Sequence, residues 1–146
     1  MLLERIAILA AAVMSMFLLT ALWRAYAVRR IARLAEESAP AAVRDLVGST
    51  APAILYFSTQ QCAQCRFQQK PALDRLAERA RVAIYAVDAV AQEELARFYG
   101  IMTVPSTVLL DAQLQPVAIN HGLAGEDRLA QQLHAADPLS FVPPLR

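Results

Sequence analysis

Residues 53–88 read AILYFSTQQCAQCRFQQKPALDRLAERARVAIYAVD, and this stretch decides the fold. Ala53–Phe57 is a short run of apolar, β-branched and aromatic residues, the composition of a buried strand, and Val82–Asp88 is a second such run. Between them helical spacing extends from Cys62 to about Arg81, with Phe67, Leu73, Leu76 and Ala80 able to face a core. A strand, a helix and a strand in that order predict a parallel pair joined by a crossover.

Outward on the carboxyl side, Gln92–Tyr99 reads as a short helix stopped by Gly100. Val104-Pro105 then precedes STVLLD, a turn near Ala112 to Gln115, PVAINH, and a helix from about Glu126 to Ala135. The last two strands are joined by too short a link for anything but a hairpin. On the amino side, AAVRDLV from Ala41 is a short helix stopped by Gly48, and Pro52 precedes the first strand. The expectation is an α/β domain over 41–137, with a central mixed sheet and helices on both faces, followed by a tail over 138–146.

The chain has 146 residues, 14 Lys+Arg against 13 Asp+Glu, and 57% hydrophobic residues. That length holds one ordinary domain and an appendage. A net charge of +1 offers no basic field for a polyphosphate backbone, so a nucleic-acid partner is not expected. Two cysteines are too few for a disulfide-stapled scaffold or a four-thiolate zinc site.

The apolar excess lies at the start. From Ile6 to Leu22 no residue is charged, and only Ser15 and Thr20 are polar. Extended by Leu2, Leu3 and Trp23, a helix here approaches the ~30 Å thickness of a bilayer's hydrocarbon core. We expect one membrane-spanning anchor over 1–28, with Trp23 and Tyr26 at the interface and Arg24 snorkelling. Ala25-Tyr26-Ala27 has the small-x-small form of a signal-peptidase site, but the apolar stretch exceeds an ordinary signal core and Arg24 immediately precedes the cut. Arg24, Arg29, Arg30 and Arg33 follow the span, whereas Arg5 precedes it, so the positive-inside rule favours a cytoplasmic domain over an extracytoplasmic one. Val28–Ala39 reads as a charged helix, and 29–40 as a juxtamembrane linker.

Chemistry concentrates at Cys62-Ala63-Gln64-Cys65. Two cysteines placed at random take this spacing roughly one time in 74, so the arrangement needs a cause. It falls where a buried strand passes into a helix. There the first turn offers unpaired amides and the positive end of the dipole, both of which stabilise a Cys62 thiolate. Cys65 follows on the same side of the helix, where it can resolve a mixed disulfide formed at Cys62. Arg66 adds positive charge.

Over roughly Ala41 to Ala136 the sequence resembles the thioredoxin superfamily. The matching features are AILYF, the CAQC turn opening a helix, Pro71 within that helix, a strand ending in Asp88, YGIMTVPS, and Gly122 before the last helix. The resemblance implies a thioredoxin-like fold in which Val104-Pro105 is a cis-proline beside the dithiol, its backbone able to pair with an extended substrate. It also implies a redox-active Cys62–Cys65 disulfide with no other cofactor and no metal, protein disulfide or dithiol substrates, and an electron-donor reductase.

The sequence departs from the family at several positions. Tyr56 stands where an acidic residue usually helps move the proton of the second thiol, and Ile84 where a lysine often accompanies it. Gln61 replaces the aromatic residue before the first cysteine, and Gln64 the usual Pro or His. Pro71 follows Cys65 by six residues where five is usual, which predicts a π-bulge around Gln68 to Lys70. Tyr56 reads either as a core tyrosine with a bonded hydroxyl or as a substitute proton donor for Cys65. His121 reads as a surface histidine at a hairpin end, His134 as a solvated one, and Asp74, Glu78 and Arg81 as an exposed helix face.

Function follows as a membrane-tethered thiol:disulfide oxidoreductase, acting as a reductase. The alternatives are a metal-handling module in which Cys62, Cys65 and His121 hold Cu(I), and an adaptor whose dithiol is silent.

Overall fold

The computed structural model describes residues 2–37, 39–48 and 52–138. Helix α1 (Leu2–Glu36) is unbroken, so the apolar segment and the charged stretch after it are one element. It ends ahead of Pro40, whose ring disfavours helical geometry in the residue before it. Its region Glu4–Glu36 is long and apolar enough to cross a membrane. Ser15 and Thr20 turn their hydroxyls back onto the carbonyls of Ala12 and Phe17, both at 2.8 Å, and so bring no unmet polar group to the apolar surface.

A separate compact unit begins at Leu34, ahead of the Ala41 boundary read from the sequence, because Leu34 is buried among core residues of the sheet domain. It comprises α2 (Ala41–Val47), β1 (Ala53–Ser58), a π-helical turn (Cys65–Gln69), α3 (Lys70–Arg79), β2 (Ala83–Asp88), α4 (Glu93–Tyr99), β3 (Ser106–Leu110), β4 (Pro116–His121) and α5 (Glu126–Ala136). Of the tail expected over 138–146, all but Pro138 lies outside the described residues. Gly48 and Gly100 end their helices at φ 54° and 63°, the left-handed conformation that favours glycine.

The sheet has the order β2-β1-β3-β4. β1 is parallel to β2 and antiparallel to β3, and β3 and β4 form the expected hairpin. Helix–strand alternation predicts a parallel crossover between β2 and β3 as well, and there the structure differs. α4 has only 7 residues, about 10 Å of helix against the ~20 Å of a strand, so the chain re-enters the sheet at the end it left.

Alternation along β1 divides the core in two. Ala53, Leu55 and Phe57 pack with Val43, Val47, Leu95 and Tyr99 on one face. Ile54 and Tyr56 pack with Leu73, Leu76, Leu129 and Leu133 on the other. Burying each large apolar side chain contributes about 1.5–3 kcal/mol, which makes β1 a rigid strand. Its carboxyl end delivers the segment that carries Cys62.

Candidate active site

β1 ends at Ser58, and a turn closed by the Cys62 N–H donating to the Thr59 carbonyl (3.2 Å) sets Cys62 just before the first helical residue. The Arg66 N–H donates to the Cys62 carbonyl at 3.2 Å, so the helix starts at the cysteine. The Cys65 N–H points back at the Cys62 sulfur, 3.0 Å away. This is the amide donor expected at a helix start, and it favours negative charge on that sulfur. Cys62 and Cys65 are joined as a disulfide, with Cα atoms 5.2 Å apart. Cys65 is only 2% exposed, whereas Cys62 is half-buried. A substrate approaching from solvent therefore meets Cys62 first.

The predicted irregularity is present as the π-turn Cys65–Gln69. It accommodates the extra residue before Pro71, with the Lys70 N–H donating to the Cys65 carbonyl. That carbonyl also accepts the Tyr56 hydroxyl at 2.8 Å. Burial pushes the Tyr56 pKa up, partly offset by a hydrogen bond involving Ser58. Of the two readings of Tyr56, the geometry is that of a core tyrosine with a bonded hydroxyl. Its proton is directed at the backbone of Cys65 and braces that residue.

Phe67, expected to face the core, is 71% exposed. Gln69 takes the inner position, because it lies one helical turn before Leu73 on the same face. It is fully buried, and its amide meets both backbone groups of Ala124: the Ala124 N–H donates to Oε1 at 2.8 Å, and Nε2 donates to the Ala124 carbonyl at 2.9 Å. This clamp ties the dithiol helix to the loop following Gly122, itself at φ 81°. The sequence signalled the inserted residue but not the partner of its side chain.

Arg66 donates to the Gln60 carbonyl at 3.3 Å and lies over the Phe67 ring, so it braces the turn ahead of Cys62. The Val104–Pro105 bond is cis, Pro105 is buried, and Val104 packs on the same cluster as Cys62. His121 is exposed at the end of β4, paired in register with Ser106, and His134 is exposed on α5. Among the described residues no three His, Cys, Asp or Glu side chains gather as a metal-holding group. Asp74 pairs with Lys70 on the exposed face of α3.

Two grooves of about 570 Å³ border the site. One is lined by Tyr56, Ser58, Cys62, Cys65, Ile84 and Ala86 among others, so Tyr56 and Ile84 replace the usual acid and lysine on its wall. The other is lined by Thr59, Val90, Arg97, Met102, Thr103 and Val104 among others. Met102 is 94% exposed and Val90 is exposed too, which gives the second groove an apolar rim.

A model of the thioredoxin family matches residues 32–135. A comparison with curated proteins found no match. Among solved structures, the chain is similar to a mutant thioredoxin of Halobacterium salinarum, at 24% identity and a TM-score of 0.60, over 73% of this chain and 90% of that one. Thioredoxin of Fasciola hepatica is similar at 23% identity and a TM-score of 0.54, over 65% of this chain and 91% of that one. Desulfothioredoxin of Desulfovibrio vulgaris Hildenborough, in its reduced form, shares 31% identity at a TM-score of 0.50, over 58% of this chain and 80% of that one. With that family match covering most of its length, and a CxxC disulfide at the start of the expected helix, the chain belongs to the thioredoxin family.

Proposed function

We propose that this protein is a membrane-tethered thiol:disulfide oxidoreductase that reduces disulfides in protein substrates. The observation that carries the reading is the asymmetry of the pair: a half-buried Cys62 sulfur facing the Cys65 amide, with Cys65 almost fully buried behind it. In the reduced state the Cys62 thiolate attacks one sulfur of the substrate disulfide. A mixed disulfide forms and the other substrate sulfur leaves as a thiolate. Cys65, once deprotonated, attacks the Cys62 sulfur, forming the Cys62–Cys65 disulfide and releasing the second substrate thiolate. Two electrons pass to the substrate, and an external dithiol reductase returns them.

The cis Val104–Pro105 segment and the apolar rim of Met102 and Val90 suit an extended, apolar stretch of substrate, and Gly122 leaves that side uncrowded. The arginines after the span support a cytoplasmic domain by the positive-inside rule. There a thioredoxin-like potential near about −270 mV keeps the dithiol substantially reduced.

The test is insulin-disulfide reduction by the full chain in detergent micelles. Wild type is expected to turn over, Cys62→Ser to be inactive, and Cys65→Ser to accumulate a mixed disulfide. Inactivity of the wild type with every dithiol donor overturns the assignment. A midpoint potential near about −120 mV overturns the reductase direction, and protease digestion of sealed membranes decides the side.

A further inference from the structure

We propose that the basic end of α1 is a binding site for an anionic phospholipid of the bilayer; this rests on the reading of α1 as a membrane span. Tyr26, Arg29, Arg30 and Arg33 recur at intervals of three and four residues, so they share one face of the helix. With Leu22 and Ala25 they line a groove of about 360 Å³. The groove is chemically divided along its length. Its span-side end is a leucine beside a small alanine, and its other end carries three guanidinium groups and a phenol.

An acyl chain fits the first end, and a phosphodiester the second. Guanidinium is a planar fork of donors matched to two phosphate oxygens, and it is more weakly hydrated than an ammonium group. None of Arg29, Arg30 and Arg33 makes an ion pair among the described residues. Glu36, about a turn beyond Arg33, makes none with them either. Their charge is therefore available to an external anion at the depth where headgroup phosphates lie, just past the aromatic pair Trp23–Tyr26, whose rings are 6.4 Å apart. Basic side chains at this depth attract anionic lipid. Arg24 lies two residues before Tyr26, on the opposite side of the helix, and does not line the groove.

Trp23 is the only tryptophan, so it reports on lipids beside this face. The full chain is reconstituted in phosphatidylcholine vesicles containing a minor fraction of brominated lipid, and quenching of Trp23 is measured. Brominated phosphatidylglycerol is expected to associate about fivefold more strongly than brominated phosphatidylcholine, equivalent to about 1 kcal/mol. The R29Q/R30Q/R33Q variant loses this preference, R24Q retains it, and inorganic phosphate at constant ionic strength leaves it intact. Equal quenching by both lipids in the wild type overturns the site, as does a preference that survives the triple substitution. Displacement by inorganic phosphate overturns it in favour of a free-anion site. Absence of quenching by either lipid removes the span itself, an outcome distinct from quenching without preference.

Discussion

Replacing Gln69 with leucine tests the clamp between the dithiol helix and the Gly122 loop. Leucine fills much of the same buried space but carries no amide, so both bonds to Ala124, at 2.8 and 2.9 Å, are lost. Each backbone group left unmatched in a buried setting costs about 1–3 kcal/mol. Movement of the loop toward water recovers part of that, and the added apolar burial offsets about 1 kcal/mol more. The expected net loss is about 2–4 kcal/mol, which for a domain near a hundred residues lowers Tm by roughly 10–20 °C. The measurement is thermal unfolding of the full chain in micelles, followed by near-ultraviolet circular dichroism, a signal of packed aromatic residues to which the regular backbone of α1 adds little. Gln69→Glu supplies a signed control. Its ionised carboxylate still accepts from the Ala124 N–H but opposes the Ala124 carbonyl, and protonation restores a donor. That variant is therefore more stable below the ordinary carboxylate range and loses stability as pH rises through it. A loss under about 1 kcal/mol in Gln69→Leu, or a Glu variant with no such pH dependence, refutes the assignment of the clamp as a principal tie.

Tyr56→Phe removes one bond to a carbonyl that keeps the Lys70 N–H, so urea unfolding should show a loss of only about 1 kcal/mol. Tyr56→Asp introduces the family's usual acid, and stopped-flow release of the mixed disulfide should quicken if proton transfer at Cys65 is slow; an unchanged rate shows that it is not. The Tyr99 hydroxyl is buried without a hydrogen-bond partner among the described residues, and burial pushes its pKa up to about 12. Because the folded state disfavours its ionised form, stability should hold below pH about 10 and fall as pH rises toward 12. Tyr99→Phe should shrink that fall, leaving the smaller part due to buried Tyr56, and add about 1 kcal/mol to the unfolding free energy in urea. Hydrogen bonds from Arg75 and Arg79 hold the Glu126 pKa below its ordinary value and join α3 to α5. Their contribution is present above the ordinary carboxylate range and is lost as pH falls through the depressed value, so Glu126→Gln should flatten the acid limb of a stability–pH profile.

Much of the architecture was legible because its signals are local. The β-branched run AILYF, the glycines that end α2 and α4, and the uncharged stretch after Arg5 each carry their own periodicity or breaker. The site was legible for the same reason. Its cysteines are three residues apart, and the count from Cys65 to Pro71 announced the π-turn. Phe67 does not face the core as its apolar side chain suggests, and the inner position goes to Gln69, for which the sequence carries no local signal. The polar one goes there because a backbone N–H and C=O distant in the chain satisfy both ends of its amide. The direction of β3 was likewise hidden, since it depends on how far a 7-residue helix carries the chain.

By itself the sequence determined the elements, the cysteine pair and the long apolar helix at the amino end, because dihedral preferences, side-chain periodicity and the helix-start environment act over a few neighbouring residues. Only the tertiary structure decided that Cys65 is buried behind a half-buried Cys62, that Tyr56 braces the Cys65 carbonyl and that Gln69 holds Ala124. Each of these depends on which groups meet across the sheet and between its helices, where hydrogen-bond satisfaction under burial outweighs the preference of any one residue.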